Sequence, residues 1–328
     1  MKSSNKSKNK INILLIGFNR SDLISKSIQR LKNLEEAELW ISIDGPRKYN
    51  RRDLIEINRI KEICFLEKIP KENLKFNKNN LGCRKAVVDA ISWFFNKVNY
   101  GLIIEDDIEL DRNYIFQIND FLKIYYKEQR ICSISSHNSI NYPKKLRSKK
   151  DFYLMPLCRV WGWATWKDRW ENHIKSTKEL EKYSLLRLFF ATPIKYRTFN
   201  TALIIWKCLN NRFDSWDYEW NYFHILNDKK SITPKDFHIL NHGFREDATH
   251  TTIDKPPWTN IDKFEFNNDK KIDINNYANS TLEKLISSEC GLPIQENYPL
   301  EIMRLIKYYL KNYIFKLLNF LSKKILKK

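Results

Sequence analysis

The first 135 residues alternate between short apolar runs and longer segments with helical periodicity. The apolar runs have the β-branched character of buried strands and occur at 11–16, 39–43, 74–76, 102–104 and 131–135. Helical spacing of apolar residues fills the segments between them, at 21–31, 52–67, 83–98 and 113–127. Strands that alternate with helices pair in parallel through right-handed crossovers, so the sequence predicts an α/β fold with a mostly parallel central sheet.

Three consecutive carboxylates, Glu105, Asp106 and Asp107, end the apolar run at 102–104. Acids at the end of a buried strand are costly unless a cation lies among them. Ligands of open α/β sheets bind at the carboxyl ends of the strands, and Mg²⁺ or Mn²⁺ commonly shares one or two carboxylates with substrate phosphates. The stretch therefore indicates a metal–diphosphate site. The residues alone leave open a second interpretation, an acidic exit from the strand that faces water.

Composition limits the classes of protein to which the chain can belong. The formal net charge of +19 favours a polyanionic partner, such as a phosphate-bearing substrate, an anionic membrane face or nucleic acid. No G-x-G-x-x-G follows the first strand, which argues against a Rossmann dinucleotide site, and no nucleic-acid-binding signature is evident. The six cysteines include no C-x-x-C pair, and we find neither a signal peptide nor a membrane-spanning run. Residues 1–10 form a basic leader that we expect to be disordered.

Aromatic residues are concentrated in two segments of the second half. Four tryptophans fall within residues 161–170, and exposed rings of this kind can stack on a sugar, although aromatic clusters are often part of a core. In the second segment, 213–220, Asp217 and Glu219 alternate with aromatic residues. Apolar walls raise the pKa of a carboxylate and make it a usable general base. On spacing alone these two acids also fit the N-terminal cap of a helix over 219–226.

The C-terminal residues 299–328 differ from the rest of the chain. Apolar residues recur there at helical spacing, and lysines and an arginine occupy the other face. A basic amphipathic helix of this kind is typical of a segment that lies in an anionic membrane surface without crossing it. An ordinary helix packed on the domain is the alternative. Residues 261–298, which precede it, are predicted to be a linker or accessory segment.

Seven motifs occur in an order that resembles one family of enzymes. The motifs are I-G-F-N-R (16–20), I-D-G-P (43–46), N-L-G-C-R-K-A (80–86), I-I-E-D-D (103–107), W-G-W-A-T-W (161–166), W-D-Y-E-W (216–220) and N-H-G-F-R-E-D-A-T-H-T (241–251). Together they resemble GT-A glycosyltransferases, in particular the N-acetylglucosaminyltransferase I-like nucleotide-diphospho-sugar transferases of bacterial polysaccharide clusters. The resemblance covers roughly residues 11–255.

The resemblance implies a Rossmann-like catalytic domain over 11–260, with a donor half at about 11–130 and an acceptor half at about 131–260. The D-x-D-type motif of the family matches Glu105-Asp106-Asp107, the acidic triad. By that match Asp107 would bind Mn²⁺ or Mg²⁺, and Glu105 and Asp106 would face the ribose and the donor sugar. Arg20 and Asp44 fall where such enzymes hold the nucleotide, with Asp44 toward the base.

The resemblance also suggests residues across the cleft. Asp217 best matches the acid that serves as base in the inverting relatives, and Glu219 stays a candidate because the spacing departs from that pattern. His250 falls in the late loop where such enzymes often contact the diphosphate or the metal. The tryptophans Trp161, Trp163 and Trp166 are candidates for a wall against the acceptor or sugar.

The implied function is metal-dependent transfer of a sugar, inverting at the anomeric carbon, in surface polysaccharide synthesis. The donor would be a nucleotide-diphospho-sugar, with a UDP-sugar expected, and the acceptor a glycan or a lipid-linked sugar. The C-terminal helix would hold the enzyme on the inner face of the cell membrane, in the cytoplasm, and no nucleic-acid partner is expected. The alternatives are a sugar-1-phosphate nucleotidyltransferase, which usually carries a glycine-rich loop where this chain has Gly17-Phe18-Asn19-Arg20, and a non-enzymatic protein that binds nucleic acid or membrane.

Overall fold

The computed structural model describes residues 10–34, 36–138, 151–244, 275, 277–278 and 280–325. The strands are β1 (Ile11–Gly17), β2 (Ala37–Ile43), β3 (Leu74–Phe76), β4 (Tyr100–Glu105), β5 (Ile108–Leu110), β6 (Ile131–Ser135), β7 (Phe152–Met155), β8 (Trp163–Trp166), β9 (Lys230–Pro234) and β10 (Ile239–Asn241). The α-helices are α1 (Ser21–Lys32), α2 (Arg51–Leu66), α3 (Cys83–Phe95), α4 (Arg112–Ile124), α5 (Lys167–Leu180), α6 (Leu185–Ala191), α7 (Phe199–Leu209), α8 (Asp217–Leu226), α9 (Ser280–Glu289) and α10 (Tyr298–Ile325).

Eight of these strands form one sheet in the order β3-β2-β1-β4-β8-β6-β9-β7. The pairs β1–β2, β1–β4, β2–β3 and β6–β9 are parallel, whereas β4–β8, β6–β8 and β7–β9 are antiparallel. The prediction of a Rossmann-like α/β fold with a mostly parallel sheet is therefore confirmed. The antiparallel strand β8 lies between β4 and β6, so it separates the two parallel parts of the sheet.

Helices cover both faces of this sheet. Ile13 and Leu15 of β1 point to the face that carries α1, α2 and α4, whereas Leu14 and Ile16 point to the face that carries α3, α5 and α8. A central strand buried on both sides needs apolar residues at every position, which explains the continuous run in β1. Alternate residues of β1 therefore contact different sets of helices, one on each face of the sheet.

A smaller apolar cluster joins α6, α7 and α8 to the start of the C-terminal helix. Leu305 of α10 and Leu188 of α6 are buried in it. The predicted C-terminal helix is thus confirmed as α10, and its first turns pack on the body of the protein. None of the described helices is long and apolar enough to cross a membrane. The basic leader up to residue 9, most of the segment 261–279 and the last three residues lie outside the described residues.

Candidate functional site

A cavity of about 260 Å³ lies at the carboxyl ends of β1, β2 and β4. Each of these strands ends at the cavity because parallel strands have their carboxyl ends at the same edge of a sheet. The lining residues are Ile16, Gly17, Phe18, Arg20, Asp44, Arg47, Asn80, Gly82, Cys83, Ala86, Val87, Glu105, Asp106 and Asp214. Four of the residues predicted from sequence, Arg20, Asp44, Glu105 and Asp106, therefore line one cavity.

Arg20 is the cation among the acids of the triad. Its guanidinium forms a bidentate pair with Asp106, in which Nε donates to Oδ2 at 3.1 Å and Nη2 donates to Oδ1. The same Nη2 lies 3.0 Å from Oδ2 of Asp107. Asp106 is 3% exposed, and a buried carboxylate is stable only when a positive group compensates it. One arginine therefore holds two of the three carboxylates in this arrangement.

Two acids of the triad have raised pKa values. Burial, with the charges of Asp107 and Asp106, raises the pKa of Glu105 to about 8. Burial also raises the pKa of Asp106 to about 7, although the charge of Arg20 acts against it. The cavity thus concentrates more negative charge than a single arginine neutralises. A further cation at this position would lower both pKa values, as opposite charges do.

Asp44 organises the loop on the other side of the cavity. Its carboxylate accepts hydrogen bonds from the side-chain amides of Asn77 (3.2 Å) and Asn80 (2.8 Å) and from the backbone N–H groups of Gly45 (2.9 Å) and Leu81 (3.1 Å). A carboxylate that accepts this many bonds from one loop fixes the conformation of that loop. Asp44 lines the cavity, but its oxygens are engaged by protein groups, and its role toward the base of a nucleotide stays a prediction.

The loop that follows β10, called the late loop below, begins against Asp107. Strand β10 pairs antiparallel with β5, which places Asn241 opposite Ile108. The next residue, His242, donates its backbone N–H to the carbonyl of Asp107 at 2.8 Å. A Cβ on Gly243 would lie 2.3 Å from Oδ2 of Asp107, so a larger residue there would force the carboxylate or the loop to move. Gly243 was not predicted as a site residue, although it stands in the N-H-G motif.

The residues of the late loop beyond Phe244, including His250 and Arg245, lie outside the described residues. The prediction that His250 contacts the metal or diphosphate therefore stays a prediction. His242 does not contact the Asp107 carboxylate, because its Nε2 lies 2.8 Å from Oε2 of Glu109.

Asp217 and Glu219 have different environments. Asp217 is the first residue of α8, is half-buried and accepts a hydrogen bond from the Ser215 hydroxyl. Its negative charge contributes to the raised pKa of Glu105, as the smallest of the causes, and Asp217 is not among the residues that line the cavity. Glu219 is 4% exposed and its Oε1 pairs with Arg84, at 2.9 Å from Nε and 2.8 Å from Nη2. Of the two candidates for the base, Glu219 is engaged in an ion pair with Arg84, whereas Asp217 forms no ion pair in the part of the chain that the structure describes.

Asp214 is a site residue that the sequence analysis missed. Its two carboxylate oxygens accept the backbone N–H groups of Cys83 (3.0 Å) and Arg84 (2.8 Å) at the beginning of α3. Asp214 thereby ties the 80–86 motif to the 213–220 segment, and it lines the cavity. Capping acids are common at helix starts, but this one is 130 residues away from Arg84 in sequence, so no local pattern could reveal it.

Two of the three tryptophans predicted to face the acceptor or sugar are core residues. Trp163 is 1% exposed and Trp166 is fully buried, with its indole Nε1 donating to the carbonyl of Leu122 at 2.8 Å. Trp166 packs in the apolar layer on one face of the sheet and Trp163 in the layer on the other face, so neither ring offers a surface to a sugar. Trp161, before the strand, is half-buried and stacks on His137 at 5.2 Å, so it alone stays a candidate.

The described residues could bind a divalent cation that is also ligated by the phosphates of a substrate. No three histidine, cysteine or acidic side chains of the described residues converge as a complete ligand set. Mg²⁺ and Mn²⁺ often take only one or two protein carboxylates, together with phosphate oxygens and water. Asp107 is half-buried, and among the described residues its one ion pair is with Arg20, which Asp106 shares. A hard cation held by Asp107 together with a diphosphate suits this donor set.

The fold and the site together define an α/β protein of Rossmann-like architecture with an acidic cavity at the carboxyl edge of its sheet. No protein-family model and no curated protein matches the chain. Among solved structures, it is similar to a crystal structure of UDP-glucose pyrophosphorylase complexed with UDP-glucose. The identity is 9%, the match covers 70% of this chain and 91% of that one, and the TM-score is 0.36. A likeness of this size supports no statement about activity.

Proposed function

We propose that this chain is a metal-dependent glycosyltransferase that moves a sugar from a nucleotide-diphosphate donor to a glycan or lipid-linked acceptor in surface polysaccharide synthesis. The observation that supports it is the triad Glu105-Asp106-Asp107 at the end of β4, of which Glu105 and Asp106 line a cavity together with Arg20. A UDP-sugar is the donor we expect, and the GT-A type of fold belongs to the same proposal.

Each candidate site residue has a separate role in the proposed reaction. Asp107 would hold Mn²⁺ or Mg²⁺, and the bound ion would stabilise the charge that develops on the leaving diphosphate. Glu105 and Asp106 would orient the ribose and donor sugar, and Arg20 and Asp44 would hold the nucleotide end of the donor. Asp44 would do so mainly by fixing the 77–82 loop, because its own oxygens already accept bonds from that loop.

Asp217 is the proposed base. Its carboxylate takes the proton of the acceptor hydroxyl as the acceptor oxygen bonds to the anomeric carbon. The bond between that carbon and the diphosphate oxygen breaks at the same time, and the nucleoside diphosphate leaves with the electron pair. A single displacement of this kind inverts the anomeric centre. The Ser215 hydroxyl, which donates to Asp217, would keep the carboxylate in a fixed orientation.

The test is a panel of nucleotide-diphospho-sugars with Mn²⁺ or Mg²⁺, scored by nucleoside diphosphate release and by thermal stabilisation. We expect metal-stimulated turnover of at least one donor. Asp107→Ala should lose this turnover, because it removes the carboxylate that would ligate the metal. Asp89→Ala, which removes an acid of α3 that pairs with Lys75 outside the cavity, is the matched control and should behave as wild type.

Two outcomes would contradict parts of the proposal. Undiminished metal-stimulated transfer by Asp107→Ala would overturn the role of Asp107 at the metal, although not the activity itself. Release of pyrophosphate from a nucleoside triphosphate and a sugar 1-phosphate, without transfer from any nucleotide sugar, would identify a sugar-1-phosphate nucleotidyltransferase instead.

We further propose that the reaction takes place in the cytoplasm, at the inner face of the cell membrane. A lipid-linked acceptor lies at a bilayer, and a positively charged enzyme surface attracts anionic lipid. The net charge of +19 supports this location.

A further inference from the structure

The C-terminal helix α10 is packed on the protein only over its first turns. Leu305 is 4% exposed within the helical cluster, and Glu301 accepts the backbone N–H of Phe199 through Oε2 at 2.7 Å. Tyr308 is half-buried and contacts Phe199. These contacts fix the direction of the helix with respect to the rest of the protein.

From Tyr309 to Lys316 every side chain of α10 is exposed. Tyr313 is 67% exposed and Phe315 63%, although both are large and apolar. A helix that shows apolar side chains to water over two turns is not stabilised by the domain itself. Some other surface must cover this part of α10.

Four of the exposed apolar residues form a stripe opposite the side that packs on the protein. Met303, Ile306, Leu310 and Ile314 are 64%, 53%, 57% and 53% exposed, and they recur at intervals of three and four residues. Their spacing places them on one side of the helix, and they line one shallow surface together with two lysines. Leu317 and Leu321 continue the same spacing in the sequence.

The charges around the stripe have a single sign. After Glu301 the sequence contains no further acid. It contains eight basic residues, namely Arg304, Lys307, Lys311, Lys316, Lys323, Lys324, Lys327 and Lys328. Lys307 and Lys311 border the stripe directly. Two copies of the chain joined through this stripe would bring these like charges together, which disfavours self-association.

We propose that α10 lies in the plane of an anionic bilayer, with the Met303–Ile306–Leu310–Ile314 stripe inserted and the lysines on lipid phosphates. An apolar stripe bordered by basic residues only is what such a surface binds. The proposal concerns the surface of α10 alone and does not depend on the chemistry of the cavity.

The experiment is co-sedimentation of the full chain with vesicles of phosphatidylcholine, with and without phosphatidylglycerol. We expect binding only when the anionic lipid is present, and weakening of that binding with rising salt. The variant Ile306→Gln/Leu310→Gln/Ile314→Gln should bind at least about a hundredfold more weakly, because three inserted side chains lose their apolar contact. The matched control Phe65→Gln/Leu66→Gln changes two apolar residues of α2 that are 81% and 74% exposed, and it should bind as wild type.

A second variant tests the charge separately. Lys307→Gln/Lys311→Gln should bind about twenty-five-fold more weakly, since each basic residue near an anionic surface strengthens binding about fivefold. Thermal unfolding of all variants shows whether they are folded, which we expect because the changed side chains are exposed.

Three results would overturn the proposal. They are wild-type vesicle binding by the apolar variant, equal binding to vesicles without anionic lipid, and a wild-type dimer that the apolar variant converts to a monomer without any vesicle binding. The last would identify a second copy of the chain as the partner of α10. Failure of the glycosyl-transfer proposal would leave all of these measurements unchanged.

Discussion

At the scale of single residues, the assignment of the base depends on which of two acids of α8 has its charge paired with another side chain. Glu219 is buried and its carboxylate pairs with Arg84, so its charge is used for stability. Asp217 begins the helix, is half-buried and has only the Ser215 hydroxyl among the bonds found for its carboxylate in the described residues. A general base needs a free electron pair and access to substrate, which favours Asp217.

Substitution of the two acids should therefore give different results. Asp217→Asn should leave the melting temperature and donor binding near wild type and lower transfer by at least about a hundredfold, the usual contribution of a general base. Glu219→Gln should lower the free energy of unfolding by about 1–3 kcal/mol, because the Arg84 charge loses its ionic partner. Thermal unfolding, donor titration and turnover of both variants separate the two roles. Near-normal turnover by Asp217→Asn would contradict the assignment of the base.

At the scale of secondary-structure elements, the approach of β10 to β5 builds the part of the site that sequence spacing cannot show. The pairing carries Gly243 onto the carboxylate of Asp107, more than a hundred residues away in sequence. Because the contact is made by the absence of a side chain, it has no signal in the composition of the loop. The loop and the triad should therefore act as one unit.

Gly243→Ala tests this unit. The added methyl group would lie 2.3 Å from Oδ2 of Asp107, so either the carboxylate or the loop must move. We expect loss of the thermal stabilisation that Mn²⁺ and a nucleoside diphosphate give together, and a decrease of about 1–3 kcal/mol in the free energy of unfolding.

His242→Ala is the control in the same loop, because its side chain lies on Glu109 and not on the Asp107 carboxylate. It should keep the stabilisation by Mn²⁺ and nucleoside diphosphate. Full stabilisation of Gly243→Ala, or equal losses in the two variants, would show that the close contact with Asp107 has no role in ligand binding.

The elements that the sequence predicted correctly are those with strong local periodicity. Strand β1, helix α1 and the acid-terminated β4 lie where apolar runs and turn residues indicated, and the acids at the strand ends meet in one cavity as the parallel topology requires. The tryptophan segment was harder to interpret. Four tryptophans close together fit a binding wall or a core equally well, and only the packing of helices on both faces of β8 shows that Trp163 and Trp166 are core residues.

At the scale of the whole molecule, buried ionisable groups of opposite behaviour determine how stability depends on pH. Burial lowers the pKa of His224 to about 4 and of His173 to about 3, whereas burial raises the pKa of Glu105 to about 8 and of Asp106 to about 7. A group with a lowered pKa loses protons on folding, and a group with a raised pKa gains them. As the pH falls from 6.5 to 4, the histidines lower the free energy of unfolding and the two acids raise it. The unfolding of the wild type alone therefore reports only the sum of these two opposing effects.

A variant at His224 isolates one of these groups. The imidazole is fully buried, with Nε2 2.9 Å from the Ser133 hydroxyl and Nδ1 2.9 Å from the carbonyl of Trp220. His224→Gln should destabilise the protein at neutral pH by about 1–3 kcal/mol, because at least one of these partners loses its bond. The size of this loss should itself depend on pH.

The direction follows from the lowered pKa of the folded histidine. Below its ordinary pKa of 6.5, His224 takes up a proton in the unfolded state but not in the folded state until about pH 4, so the wild type loses the stability that this group contributes as the pH falls through that range. The glutamine variant has no such proton to take up. The stability advantage of the wild type should therefore fall by up to about 1.4 kcal/mol per pH unit between pH 6.5 and about 4. Over the whole range this exceeds the difference at neutral pH, so the glutamine variant should be the more stable protein near pH 4. Urea unfolding of both proteins across this range measures it, and a constant difference would show that His224 is protonated to the same extent in the folded and unfolded states.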